Sequence, residues 1–128
     1  MVKLLIVDDD QQTCEFLKEF FETRKCVVLT ADSGDQALSI TKENKPDVVL
    51  LDIKMPGMDG LEVLRKIKKF NKEIKVVMVT GVSDTKTKEQ AKDLGADDFI
   101  EKPLNEQYLE GTVCLIVSNL TKEREGEQ

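Results

Sequence analysis

Val48-Val49-Leu50-Leu51-Asp52 holds four consecutive apolar residues and then a carboxylate. Such a run cannot alternate between a wet and a dry face, so it reads as a strand buried on both sides. Pro46-Asp47 punctuates the chain before it. The same pattern recurs on either side. Leu4-Leu5-Ile6-Val7 ends at Asp8-Asp9-Asp10, and Cys26-Val27-Val28-Leu29 is short and rich in valine. Ile74 to Val79 is broken only by Lys75, and Asp98-Phe99-Ile100 is a brief last strand.

Between these runs the apolar residues take helical spacing. Gln11 to Arg24 carries Cys14, Phe16, Leu17, Phe20 and Phe21, with Asp10 placed as N-cap. Ser33-Gly34 opens a second helix in which Ala37, Leu38 and Thr41 share a face. The turn-rich loop Met55-Pro56-Gly57-Met58-Asp59-Gly60 leads into a third, capped by Asp59 and carrying Leu61, Val63, Leu64 and Ile67. Asp84 to Leu94 is a polar helix stopped by Gly95, and Asn105 to Leu120 is the last. Five strands alternating with five helices specify a parallel sheet covered on both faces. Right-handed crossovers then leave the α/β, flavodoxin-like, doubly wound order 2-1-3-4-5.

At 128 residues the chain suits one domain with a core that needs no metal or disulfide staple. Its longest apolar runs, such as Val113 to Val117, fall far short of the ~20 residues of a spanning helix. With no signal-peptide pattern at the start, a cytoplasmic location without membrane attachment is expected. The chain has no histidine, which excludes a histidine base or a zinc–histidine site. Cys14, Cys26 and Cys114 are odd in number and never form Cys-x-x-Cys, so they read as small reduced thiols, in the core or semi-buried. A net charge of -6 argues against direct nucleic-acid binding by the domain, and the basic run Arg65, Lys66, Lys68, Lys69, Lys72, Lys75 reads as a solvated helix face.

Ligands of such sheets bind beyond the carboxyl ends of the strands, where the order reverses. That places Asp8, Asp9 and Asp52 in one cleft, and like charges so close require a compensating cation. Hard oxygen donors suit Mg²⁺. Asp10 reads as the cap and acidic first turn of its helix. Strand four ends in Thr80-Gly81 and strand five in Lys102-Pro103, adding a hydroxyl and an ammonium at the same edge. A carboxylate nucleophile, a metal on acids, a hydroxyl and a lysine are the parts that stabilise an in-line phosphoryl transfer.

Val7-Asp8-Asp9, the segment from Leu51 to Gly60, Val79-Thr80-Gly81 and Phe99-Ile100-Glu101-Lys102-Pro103 occur here in one order and spacing. With them the chain resembles the receiver domain of bacterial two-component response regulators, of the stand-alone chemotaxis or sporulation-phosphorelay kind, over roughly Val2 to Leu120. The resemblance implies that Asp52 accepts a phosphoryl group from a sensor histidine kinase or a histidine phosphotransfer protein. It implies Asp9 as a direct Mg²⁺ ligand, Asp8 acting largely through water, and the Lys54 backbone carbonyl as the third protein ligand. It makes Thr80 the switch hydroxyl, Lys102 the lysine paired with the phosphoryl, and Phe99 the switch aromatic, the plain alternative being a core phenylalanine. Lys54 and Val82 differ from the water-positioning groups of the fast chemotaxis members, which implies a long-lived phosphoryl group.

The resemblance further implies a phosphoacceptor switch, not a turnover enzyme, whose face formed by the fourth helix, fifth strand and last helix acts on a downstream effector or in a phosphorylation-dependent homodimer. On the last helix, Leu109, Val113, Ile116, Val117 and Leu120 fall on the core side at about 100° per residue, whereas Tyr108 and Leu115 point nearly opposite. Residues 1–120 are expected to form the receiver and 121–128 a charged tail or the start of a linker. Two rivals stand beside this reading. One is a small Mg²⁺-dependent phosphatase or phosphotransferase with Asp52 as nucleophile. The other is a flavin carrier of the same topology, whose phosphate the Asp8-Asp9-Asp10 run would repel.

Overall fold

In the computed structural model, residues 1–55, 57, 59–81 and 85–125 are described, with side chains as far as residue 122. Pro56 and Met58 of the loop, the helix start at Asp84, Val82 and the last three residues of the charged tail lie outside the described residues. The strands are β1 (Lys3–Val7), β2 (Val27–Ala31), β3 (Val48–Asp52), β4 (Lys75–Thr80) and β5 (Asp98–Glu101). They form one parallel sheet in the order β2-β1-β3-β4-β5.

Alternate residues of each strand feed opposite faces, as the pleat requires. Leu4, Ile6, Val48, Leu50, Val77 and Val79 pack on one side, and Leu5, Val7, Val49, Leu51, Val76 and Met78 on the other. Because both faces are dry, no polar alternation appears in the sequence of β1 or β3. Helices α1 (Gln11–Glu22), α2 (Gly34–Asn44), α3 (Gly60–Phe70) and α4 (Thr85–Asp93) follow β1 to β4 in turn. The expected caps are present: Asp10, Ser33 and Asp59 accept from Gln12, Gln36 and Glu62 backbone N–H groups. Gly95 ends the α4 segment with φ 102°, a left-handed value that costs glycine little.

One surface reading is corrected, at Tyr108, and one apolar residue of the first helix falls outside the core. Phe16 is 43% exposed, not core. At about 100° per residue it lies on the far side of α1 from Cys14, Leu17 and Phe21. Tyr108 is half-buried, because its hydroxyl oxygen accepts the Glu101 N–H on the outer edge of β5 (3.2 Å). Leu115 is 59% exposed, as expected.

The last helix, α5, is not one regular helix. It starts as Glu106–Tyr108, widens into a π-turn at Leu109–Val113 and continues as Cys114–Glu125. Its buried residues Leu109, Val113, Val117 and Thr121 recur every four positions. Four residues overshoot an α-turn by about 40°, and a π-turn absorbs part of that drift. Thr121, read as the first residue of a tail, is buried and bonds the Val117 carbonyl (3.0 Å), so the helix runs past the boundary expected after Leu120.

Candidate functional site

The register brings the strand ends together. Val7 pairs with Leu51, so Asp8 follows beside Asp52; Asp52 pairs with Val79, and Thr80 with Glu101. Lys102 then turns inward, its N–H donating to the Thr80 carbonyl (2.8 Å), and the Lys102–Pro103 bond is cis. Asp8 and Asp52 are buried, whereas Asp9 is exposed. The Lys102 Nζ lies 3.1 Å from Oδ2 of both Asp8 and Asp52. The remaining oxygens accept backbone N–H groups: Asp10 donates to Asp8 Oδ1 (2.9 Å) and Lys54 to Asp52 Oδ1 (3.2 Å).

Burial pushes the Asp52 carboxyl above its ordinary value; Lys102 pulls the other way and offsets only part of it. Burial alone would lower the Lys102 ammonium, but its bonds to Asp52 and Asp8 outweigh that and hold it raised. The partners therefore respond to different dominant causes. One ammonium faces two carboxylates, so it offsets their charge only in part.

One carboxylate oxygen each from Asp8, Asp9 and Asp52 lie within 4.8 Å of one another. All are hard donors, and Asp9 faces an open cleft of ≈ 820 Å³ that Lys54, Thr80 and Lys102 also line. This donor set fits a divalent cation that keeps several waters or phosphate oxygens. The Thr80 hydroxyl is buried and finds no hydrogen-bond partner among the described residues. Such a group costs about 1–3 kcal/mol where it stands, so it is poised for a ligand that supplies an acceptor. Phe99 is half-buried against the second core cluster, on the sheet face of its register partner Met78.

A family model described as the response regulator receiver domain matches residues 4–113. The chain belongs to the response regulator receiver family. Among similar curated proteins, Sporulation initiation phosphotransferase F of Bacillus subtilis is 38% identical over 80% of this chain and 83% of its own length. Probable transcriptional regulator ycf27 of Guillardia theta is 33% identical, over 94% of this chain and 47% of its own. The chain spans about half the length of several curated relatives it matches. A solved response regulator receiver domain protein from Clostridium thermocellum superposes with a TM-score of 0.90 at 30% identity, each chain fully covered. These matches support the receiver reading, not the small phosphatase weighed against it.

All the residues expected to form the receiver's site meet at this one edge, with Phe99 set back behind it. Sequence reasoning missed two supports. Gly60 sits under Asp52: a Cβ there would lie 2.4 Å from the Asp52 carbonyl oxygen and 2.6 Å from Ile53 Cα. Cys14, read only as a core thiol, donates its Sγ–H to the Asp8 carbonyl (3.3 Å). The Asp59-Gly60 dipeptide was a visible turn signal; the thiol bond crosses from helix to strand end and left none.

Proposed function

We propose that Asp52 takes a phosphoryl group from the phosphohistidine of a sensor kinase or phosphotransfer protein and that the modified site reorganises a partner-binding face. The observation that carries this reading is the Lys102 ammonium held at 3.1 Å from both Asp8 and Asp52, beside a buried Thr80 hydroxyl with no partner among the described residues. The Asp52 oxygen attacks phosphorus in line, the P–O bond forms as the P–N bond breaks, and the imidazole leaves. Lys102 stays as counter-charge to a group that adds about -1.5 to -2 charges. Thr80 turns its hydroxyl to a phosphoryl oxygen, and the space it vacates admits Phe99 from the same side of the sheet, which biases a bistable packing at α4, β5 and α5.

Asp8, Asp9, Asp52 and the Lys54 carbonyl would hold Mg²⁺, which when bound would supply positive charge to offset the carboxylates and the added phosphoryl group. The exposed Phe16 borders a groove of ≈ 560 Å³ with Pro103, Leu104 and Lys102, and an apolar rim beside a polar reaction centre suits a protein phosphodonor better than a small one. The likeness to a sporulation phosphotransferase supports onward transfer to a second protein as one output. The domain itself binds no nucleic acid in this reading: Arg65 pairs with Glu62, and Lys68 with Asp97, which takes two cations out of the basic run. No helix among the described residues is long and apolar enough to cross a membrane, and we place the domain in the cytoplasm.

Mass spectrometry of wild type and Asp52→Asn after treatment with an acyl phosphate and Mg²⁺ tests the assignment. One phosphoryl group on wild type and none on the variant is expected. Equal labelling of both would overturn it.

A further inference from the structure

Cys26 and Cys114 come from distant parts of the chain and meet in one pocket. Cys26 stands just before β2, its N–H donating to the Phe21 carbonyl (3.2 Å) after Lys25 turns the chain at φ 65°. Cys114 opens the final stretch of α5, where its N–H reaches back to the Leu109 carbonyl and closes the π-turn. Both thiols are free and half-buried, and both line a cavity of ≈ 340 Å³ with Phe21, Arg24 and Val117. The residue accommodated in the π-turn rotates everything after it by about 100°, so the widened turn sets the direction in which Cys114 points.

Arg24 is fixed at this pocket. Its guanidinium stacks 3.7 Å from the Phe20 ring centroid and bonds the Phe20 carbonyl and Glu110. Burial raises both thiols, and the Cys114 thiol raises that of Cys26 further. Arg24 pulls the other way at both through its charge, and at Cys114 no second thiol adds to the rise. Cys114 is therefore the better-supported nucleophile of the two.

We propose that Cys26 and Cys114 form a dithiol modification site that a hydroperoxide closes to an intramolecular disulfide. The Cys114 sulfur, giving up its proton, attacks one peroxide oxygen; the O–O bond breaks, and water leaves when the oxidant is hydrogen peroxide. The resulting sulfenic acid is attacked by the Cys26 thiol, the S–S bond forms and a second water leaves. Two thiols and one peroxide thus give one disulfide and two waters. Arg24 offsets the developing thiolate charge, and the raised thiols make closure a response to sustained oxidant, not to a trace. The bond would tie the start of edge strand β2 to the π-turn of α5, restricting any shift of that helix. Cys14 is an internal control: buried in the core with its Sγ–H held by the Asp8 carbonyl, it stays reduced.

The test uses the full chain treated with hydrogen peroxide, denatured in an alkylating reagent and weighed without reductant. Wild type and Cys14→Ser should each lose two hydrogens and two alkylatable thiols, remain monomeric on non-reducing gels, and melt higher until reductant is added. Neither Cys26→Ser nor Cys114→Ser should show any of this: sulfenic or higher acids should accumulate at Cys114 in Cys26→Ser, whereas Cys114→Ser should keep both remaining thiols alkylatable. Three alkylatable thiols after prolonged oxidation of wild type, peroxide oxygens added without cross-linking, or a disulfide mapped to Cys14 or between two chains would each overturn the proposal.

Discussion

Gly60→Ala places a methyl group where the chain has no room. Its ideal Cβ lies 2.4 Å from the Asp52 carbonyl oxygen and 2.6 Å from Ile53 Cα, both main-chain atoms that cannot rotate away. Ordinary contact begins near 3.4 Å, so the start of α3 and the end of β3 must separate by about 1 Å. The movement also strains the Gly60 N–H bond to the Ile53 carbonyl (2.7 Å). Overpacking of this kind costs about 1–3 kcal/mol, and a clash against backbone belongs at the upper end. That corresponds to a Tm lower by ~10 °C for a domain of this size. Asp52 sits on the displaced segment, and a misplacement of ~1 Å of a reacting group costs on the order of 10²-fold in rate. Thermal unfolding followed by circular dichroism reads the first effect, and the rate of labelling by an acyl phosphate with Mg²⁺ reads the second. Gly111→Ala is the control, since its Cβ meets nothing within 4 Å and should leave both unchanged or raise the Tm. A Gly60→Ala protein that melts within about 2 °C of wild type and labels at the wild-type rate would refute the packing argument.

Asp52→Asn should be more stable than wild type at neutral pH in metal-free buffer. Burial raises the Asp52 carboxyl in the folded chain, so its stabilising contribution is fully present below the unfolded value, ordinarily ~3.9, and is lost as pH rises through the folded one. Urea midpoints should therefore converge in acid and separate towards neutrality. Asp9→Asn should weaken Mg²⁺ binding in a calorimetric titration more than Asp8→Asn, because Asp9 is exposed at the cleft while Asp8 is already engaged by Lys102 and the Asp10 N–H. A larger loss at Asp8 would reverse the two roles. Leu115→Lys should reduce phosphorylation-dependent association, measured by light scattering with beryllofluoride, without changing the Tm, since Leu115 is 59% exposed. Equal association of both proteins would make Leu115 ordinary surface.

Local chemistry alone determined much of this protein. Short valine-rich apolar runs such as Val48–Leu51, bounded by Pro46-Asp47 and Asp52, read as strands dry on both faces, and Asp10, Ser33 and Asp59 mark helix starts from local chemistry alone. Strict alternation then confines the topology, and topology puts Asp8, Asp9, Asp52, Thr80 and Lys102 at one edge, because strand ends in a parallel sheet point the same way. What a wheel or a strand pattern cannot hold is the relation between distant backbones. The Lys102 ammonium shared by Asp8 and Asp52 depends on register across β1, β3, β4 and β5, and so does the burial of the Thr80 hydroxyl away from any partner among the described residues. Tyr108 read as surface because the β5 N–H it satisfies lies in another element. The π-turn at Leu109–Val113 follows from seating four residues spaced by four on one sheet, a demand that exists only once the sheet is there. Gly60 shows the division most plainly: its sequence neighbour Asp59 announced a turn, but the reason no side chain fits is the Asp52 carbonyl 2.4 Å away.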